Sequence, residues 1–203
     1  MLQRSGLRSA HYKTAPDAPP IGAVFLANQT AGRPLLTGIE GFDVYADLGL
    51  NAGQVVFEGA HLFRQLHAEH PDAYFLLNTR PVDDWVASRM RFREGALATH
   101  CARILGCGTD ALPDLWREMF GRHHADVREH FSCDSGKLLE FDITSDSPDA
   151  IKDFLSPIYQ IDTAHWKLIN ASAPSTPPPE QRNMAARASG GLWNRLARRR
   201  NHG

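Results

Sequence analysis

Cysteine is scarce in this sequence: Cys101, Cys107 and Cys133 among 203 residues. An odd number with no C-x-x-C pair argues against a disulfide framework or a zinc ribbon. Free, buried thiols in a reducing cytoplasm are the expectation. No apolar run approaches the roughly 20 residues of a spanning helix, so no transmembrane segment is expected. Residues 1–10 lack the apolar stretch of a secretory signal. Net charge is small as well, formally −1 from 22 Lys+Arg and 23 Asp+Glu. That leaves no global field to hold nucleic acid or a membrane surface, and neither is an expected partner. No His pair has the spacing of a metalloprotease, no metal site is expected, and no internal repeat is visible.

What the chain does have is 42% hydrophobic residues, enough for one domain with a substantial core. Composition divides it into an α/β domain over residues 1–170 and a tail over 171–203. The tail opens with Pro174 and the run Pro177-Pro178-Pro179, then carries Arg182, Arg187, Arg195 and Arg198 to Arg200. It reads as a proline-rich linker and a disordered basic end, with Trp193 and Leu196 able to form a helical turn that meets a partner.

Within the domain, Leu2, Gly6 and Leu7 look like a helix tail with a Gly stop. Residues 9–13 read as a strand, 21–27 as a helix or strand, and 42–46 as an extended segment ending at Asp47. Val56, Phe57, Ala60, Phe63 and Leu66 follow helical spacing, which predicts an amphipathic helix over 55–70. Residues 74–77 are a short apolar run between punctuation, as buried parallel strands are. Pro81 opens a helix with Asp83 and Asp84 in its first turn and Trp85, Val86 and Met90 on one face. Apolar residues from Leu112 to Phe131 predict a long helix with a break near Gly121. Residues 138–141 read as a second buried strand. A helix follows, started by Asp146 or Ser147 and Pro148, with Ile151, Phe154 and Leu155 inward. This alternation predicts a three-layer α/β fold with a parallel sheet and crossover helices.

The informative stretch runs from Phe75 to Ser88. Arg80 follows the apolar strand, where open α/β sheets bind ligands, and Ser88 lies eight residues on in the next helix. A guanidinium and a hydroxyl so placed can grip one phosphate. The plain alternative pairs Arg80 with Asp83 or Asp84 and leaves Ser88 as a helix filler.

This stretch resembles the segment of PAPS-dependent sulfotransferases that binds the cofactor's 3′-phosphate. His70-Pro71-Asp72-Ala73-Tyr74-Phe75 resembles the approach to that strand, 42–47 an earlier segment, and 138–143 with 148–155 a later strand and helix. Asn170 falls in the closing segment. The resemblance implies a P-loop-type fold, PAPS as co-substrate, Arg80 and Ser88 as 3′-phosphate ligands, and a small-molecule or glycan hydroxyl or amine as acceptor. Acceptor choice would lie in loops such as residues 28–40 and 99–114.

One part of the family pattern is missing. The Lys-x-Gly-Thr loop that cradles the 5′-phosphosulfate has no counterpart, since Gln3-Arg4-Ser5-Gly6 lacks the Lys and the Gly-Thr pair. The chain therefore reads as starting about 20 residues into such a fold. Sulfuryl transfer also needs a base. Asp47 is the candidate, ahead of Asp43 and His61, against the plain reading that it caps a loop. Two readings result: a sulfotransferase-like enzyme impaired by the missing loop, or a non-catalytic binding protein on a degenerate fold.

Overall fold

The computed structural model describes residues 1–166. The proline-rich linker, the basic tail and Asn170 lie outside the described residues.

Sequence punctuation sets the order of elements. A 3₁₀ turn, Leu2–Ser5, ends at Gly6 with φ +86°. Strand β1, Ser9–His11, leads through a loop to helix α1, Ile21–Thr30. Strand β2, Val44–Ala46, pairs parallel with β1 in the register Ala10 to Tyr45. Strands β3, Leu50–Ala52, and β4, Val55–Phe57, form an antiparallel hairpin. A 3₁₀ turn, Gly59–Leu62, runs into α2, Phe63–Glu69. Then come β5, Phe75–Thr79, and helices α3, Val82–Arg91, α4, Ala96–Leu105, and α5, Leu112–His130. Strand β6, Leu138–Asp142, pairs parallel with β5, Leu77 opposite Glu140. Helix α6, Asp149–Leu155, follows, and the Ser147 hydroxyl accepts the Asp149 N–H at 3.2 Å. The chain is thus mixed α/β. Among the described residues, its parallel pairs β1–β2 and β5–β6 are separate two-stranded sheets.

Three expectations need correction. Residues 55–70 are not one helix: β4 takes the first three, a 3₁₀ turn follows, and α2 is confined to Phe63–Glu69. The cause is local. Gly53 has φ +60° in a two-residue loop between Ala52 and Val55, and the β-branched pair Val55-Val56 suits a strand. Residues 99–114 are not a loop, because Ala96–Leu105 is helical with Gly95 and Gly106, both at positive φ, as its caps. Helix α5 runs unbroken through Gly121 for 19 residues. Packing on both sides of that glycine outweighs a cost of about 1 kcal/mol.

The core lies in four clusters. Trp116, Cys101, Leu112 and Val86 join α3, α4 and α5. Phe141, Ile151 and Leu155 seat α6 on β6, with Leu7 beside them. Ile21, Phe25 and Leu35 seat α1 on Ala10 of β1. Phe63, Val127 and Phe131 close over Leu77 of β5. The exposed face of β5 carries Leu76 and Asn78, so among the described residues this strand is covered on one side only.

Candidate functional site

Strand β5 hands over to α3 through Arg80 and Pro81 alone. Pro81 is the N-cap residue, its fixed φ of −47° suiting the entry to a helix. Arg80 therefore stands at the carboxyl end of a parallel strand and the mouth of a helix. It is half-buried and has no hydrogen bond or ion pair among the described residues. The plain alternative, Arg80 paired with Asp83 or Asp84, does not form among the described residues. Asp83 instead accepts from Arg117 at 2.8 Å, and Arg117 also reaches Asp114 at 2.7 Å.

Ser88 lies in the second turn of α3 and is half-buried. From Val82 to Ser88 the helix rises about 9 Å and turns by about 240°, and no contact joins Arg80 to Ser88 among the described residues. Asp84 sits one turn before Ser88 on the same face, and its carboxylate opposes an anion there.

Asp47 follows β2 directly, is exposed, and has φ +54°. Tyr12, directly after β1, has φ +62°. Both parallel strands thus end in a left-handed residue, a conformation Asp tolerates better than most. The segment beyond Asp47 is held from two sides. A Cβ on Gly22 of α1 would lie 2.6 Å from the Gly49 carbonyl carbon, and one on Gly59 would collide with the Leu48 carbonyl oxygen. No hydrogen-bond partner orients the Asp47 carboxylate among the described residues.

The other two candidate bases have structural partners. Asp43 lies before β2, not at its carboxyl end. It accepts from the Arg8 backbone N–H at 2.8 Å and from the guanidinium at 2.9 and 3.1 Å. Those bonds bring its pKa down to about 2, so it stays an unprotonated brace. His61 lies against His123 with ring centroids 4.7 Å apart and the rings tilted by 38°.

The chain matches no family model, no curated protein and no solved structure. The site's meaning rests on its own geometry.

Sequence reasoning missed the clamp beside Ser88. The Arg89 guanidinium lies 4.8 Å from the Trp85 ring and 4.7 Å from the Trp116 ring, and it donates to Glu58 at 2.9 Å. Burial is the main influence raising the Cys101 thiol pKa; Arg89 works against it. The signal was present: Trp85 and Arg89 are four apart on one helix face. Among the described residues, no three His, Cys, Asp or Glu side chains gather around a metal position, and no helix is long and apolar enough to cross a membrane.

Proposed function

We propose that this chain binds a nucleotide phosphate at the carboxyl end of β5, in the manner of a PAPS-dependent sulfotransferase, and that it binds better than it turns over. The observation carrying this reading is Arg80. It is a half-buried guanidinium at the end of a parallel strand, with no acidic partner among the described residues. Such a group is a planar donor open to phosphate oxygens, and the Ser88 hydroxyl adds a second contact. In this reading β5 and β6 are two strands of a three-layer, P-loop-type sheet. PAPS is the co-substrate, and Arg80 and Ser88 hold its 3′-phosphate. A cytoplasmic setting, where the three thiols stay reduced, goes with it.

Transfer to a small-molecule or glycan acceptor requires a base for the acceptor proton, and Asp47 is the residue available. Its exposure and lack of an orienting partner favour the second reading, a non-catalytic binding module. The test is calorimetry with adenosine 3′,5′-bisphosphate, with adenosine as comparator. The bisphosphate should bind with Kd of about 0.1–1 mM and adenosine at least about tenfold more weakly. Arg80→Met should weaken the bisphosphate about tenfold or more, the loss of one charge-assisted hydrogen bond. Equal affinity for both ligands, or an indifferent R80M, removes the site. Steady sulfate transfer from PAPS by this chain removes the binding-only reading.

A further inference from the structure

Helix α5 carries His123, Val127 and His130 along one face, spaced to meet a neighbouring element. That element is the 59–69 segment with His61, Phe63, Arg64 and His67. His67 Nδ1 and His130 Nε2 are 2.9 Å apart. His130 Nδ1 is 3.1 Å from Arg64 Nη1. His67 Nε2 faces Asp134 Oδ2 at 3.7 Å.

We propose that the contact between α2 and α5 is a pH-operated clasp, closed while His67 and His130 are both neutral and opened by one added proton on the pair.

The tautomers follow from donor and acceptor arithmetic. Arginine only donates, so His130 Nδ1 must offer a lone pair. The proton of His130 is then on Nε2, which donates to His67 Nδ1. The proton of His67 is in turn on Nε2, facing Asp134. Each of the two close contacts has one donor and one acceptor, and the neutral pair has no spare acceptor.

An added proton has two places to go. On His130 Nδ1 it meets the Arg64 N–H groups head-on. On His67 Nδ1 it meets the His130 Nε2–H, or forces His130 to move its own proton to Nδ1, against Arg64 again. Every arrangement leaves two donors facing each other, beside a guanidinium.

The surrounding charges strengthen the effect. Arg64 on α2 adds to the positive side, and the neighbouring His123 of α5, held neutral, adds none; Asp126 on α5 and Asp134 beyond it oppose it. Asp134 is exposed, and Asp126 offers Arg64 its backbone carbonyl. Strand β5 presents only the Phe75 ring to His67. Burial, then Arg64 and His67, lower the pKa of His130.

Behind the clasp lies the cluster of Phe63, Leu77, Val127 and Phe131, with Phe75 against it. Opening the clasp uncovers this cluster and loosens β5.

Long-range ¹H–¹⁵N NMR at pH 7.5 should find His67 and His130 both protonated at Nε2. His124, which donates Nδ1–H to the Phe120 carbonyl at 2.9 Å, should show the opposite tautomer. Lowering the pH from 7.5 to 4.5 should raise hydrogen exchange in residues 63–69 and 123–131 at least tenfold over residues 96–105, after correction for intrinsic rates. Gln replaces each His with an acceptor and a donor that do not titrate. The double variant His67→Gln/His130→Gln should therefore lose this local response. An Nδ1–H tautomer on either ring at pH 7.5, exchange rising equally in all helices, or an unchanged response in the double variant overturns the clasp. If the variant fails to fold, the tautomer measurement decides alone.

Discussion

At the scale of single residues, the arginines divide by what surrounds them. Arg8 braces Asp43 on the surface, whereas Arg89 sits between two tryptophan rings with Glu58 at its tip. Its side chain is 17% exposed, and among the described residues its Nε is buried without a partner. Orphaned donors cost stability, and here the ring contacts and the ion pair outweigh that cost. Lysine cannot lie flat between two rings and reach Glu58 with the same geometry. Arg89→Lys should lower stability by about 1–3 kcal/mol in urea unfolding followed by circular dichroism. A variant as stable as the parent would mean that the rings pack equally well without the guanidinium.

At the scale of elements, the backbone beyond Asp47 is fixed by glycines on two neighbours. Gly59 opens the 3₁₀ turn before α2, and a methyl there would strike the Leu48 carbonyl oxygen, a backbone atom that cannot swing aside. Gly59→Ala should therefore cost about 1–3 kcal/mol, the usual penalty of overpacking. Gly121→Ala is the control. Among the described residues, nothing beyond the helix's own backbone and the adjoining residues lies within 4 Å of a Cβ at that position in α5, and alanine is the better helix former by about 1 kcal/mol. Thermal unfolding of the two variants should move in opposite directions. A common shift would show that α5 bends at Gly121, or that the Leu48 segment yields.

At the scale of the whole molecule, the pH dependence of stability is set by histidines held neutral. Burial, then His61 and His124, push the pKa of His123 down to about 4, against an ordinary value of 6.5. The unfolded chain therefore binds protons between these values that the folded chain refuses. Stability is full above about pH 6.5 and falls as pH drops toward 4. After allowance for solvent screening of this half-buried ring, the loss is about 1–2 kcal/mol. Urea unfolding at pH 7 and pH 4.5 should show it, and His123→Gln should reduce the difference by that amount. A difference unaffected by this substitution would place the acid sensitivity elsewhere, for instance in the His67–His130 pair.

The elements that sequence alone determined are those coded by neighbouring residues. Strand β5, Pro81 and the acidic first turn of α3, the Ser147 start of α6 and the Gly6 stop are all local chemistry, so their positions were readable. The placement of Arg80 at a strand's end came from the same pattern. What failed needed context. Val56, Phe57, Phe63 and Leu66 fit a helical period, yet Gly53 and the partner strand at 50–52 drew 55–57 into a hairpin. No local pattern shows that Arg80 is left without an acid among the described residues while Asp83 goes to Arg117, 34 residues away, or that Asp43 is tied to Arg8 rather than poised as a base. Those outcomes depend on side chains meeting across the fold, where the shortest path between charges decides. The same holds for the histidines of α2 and α5: their spacing is in the sequence, but only the packing of the two helices brings His67 and His130 within 2.9 Å, where one proton more or less matters.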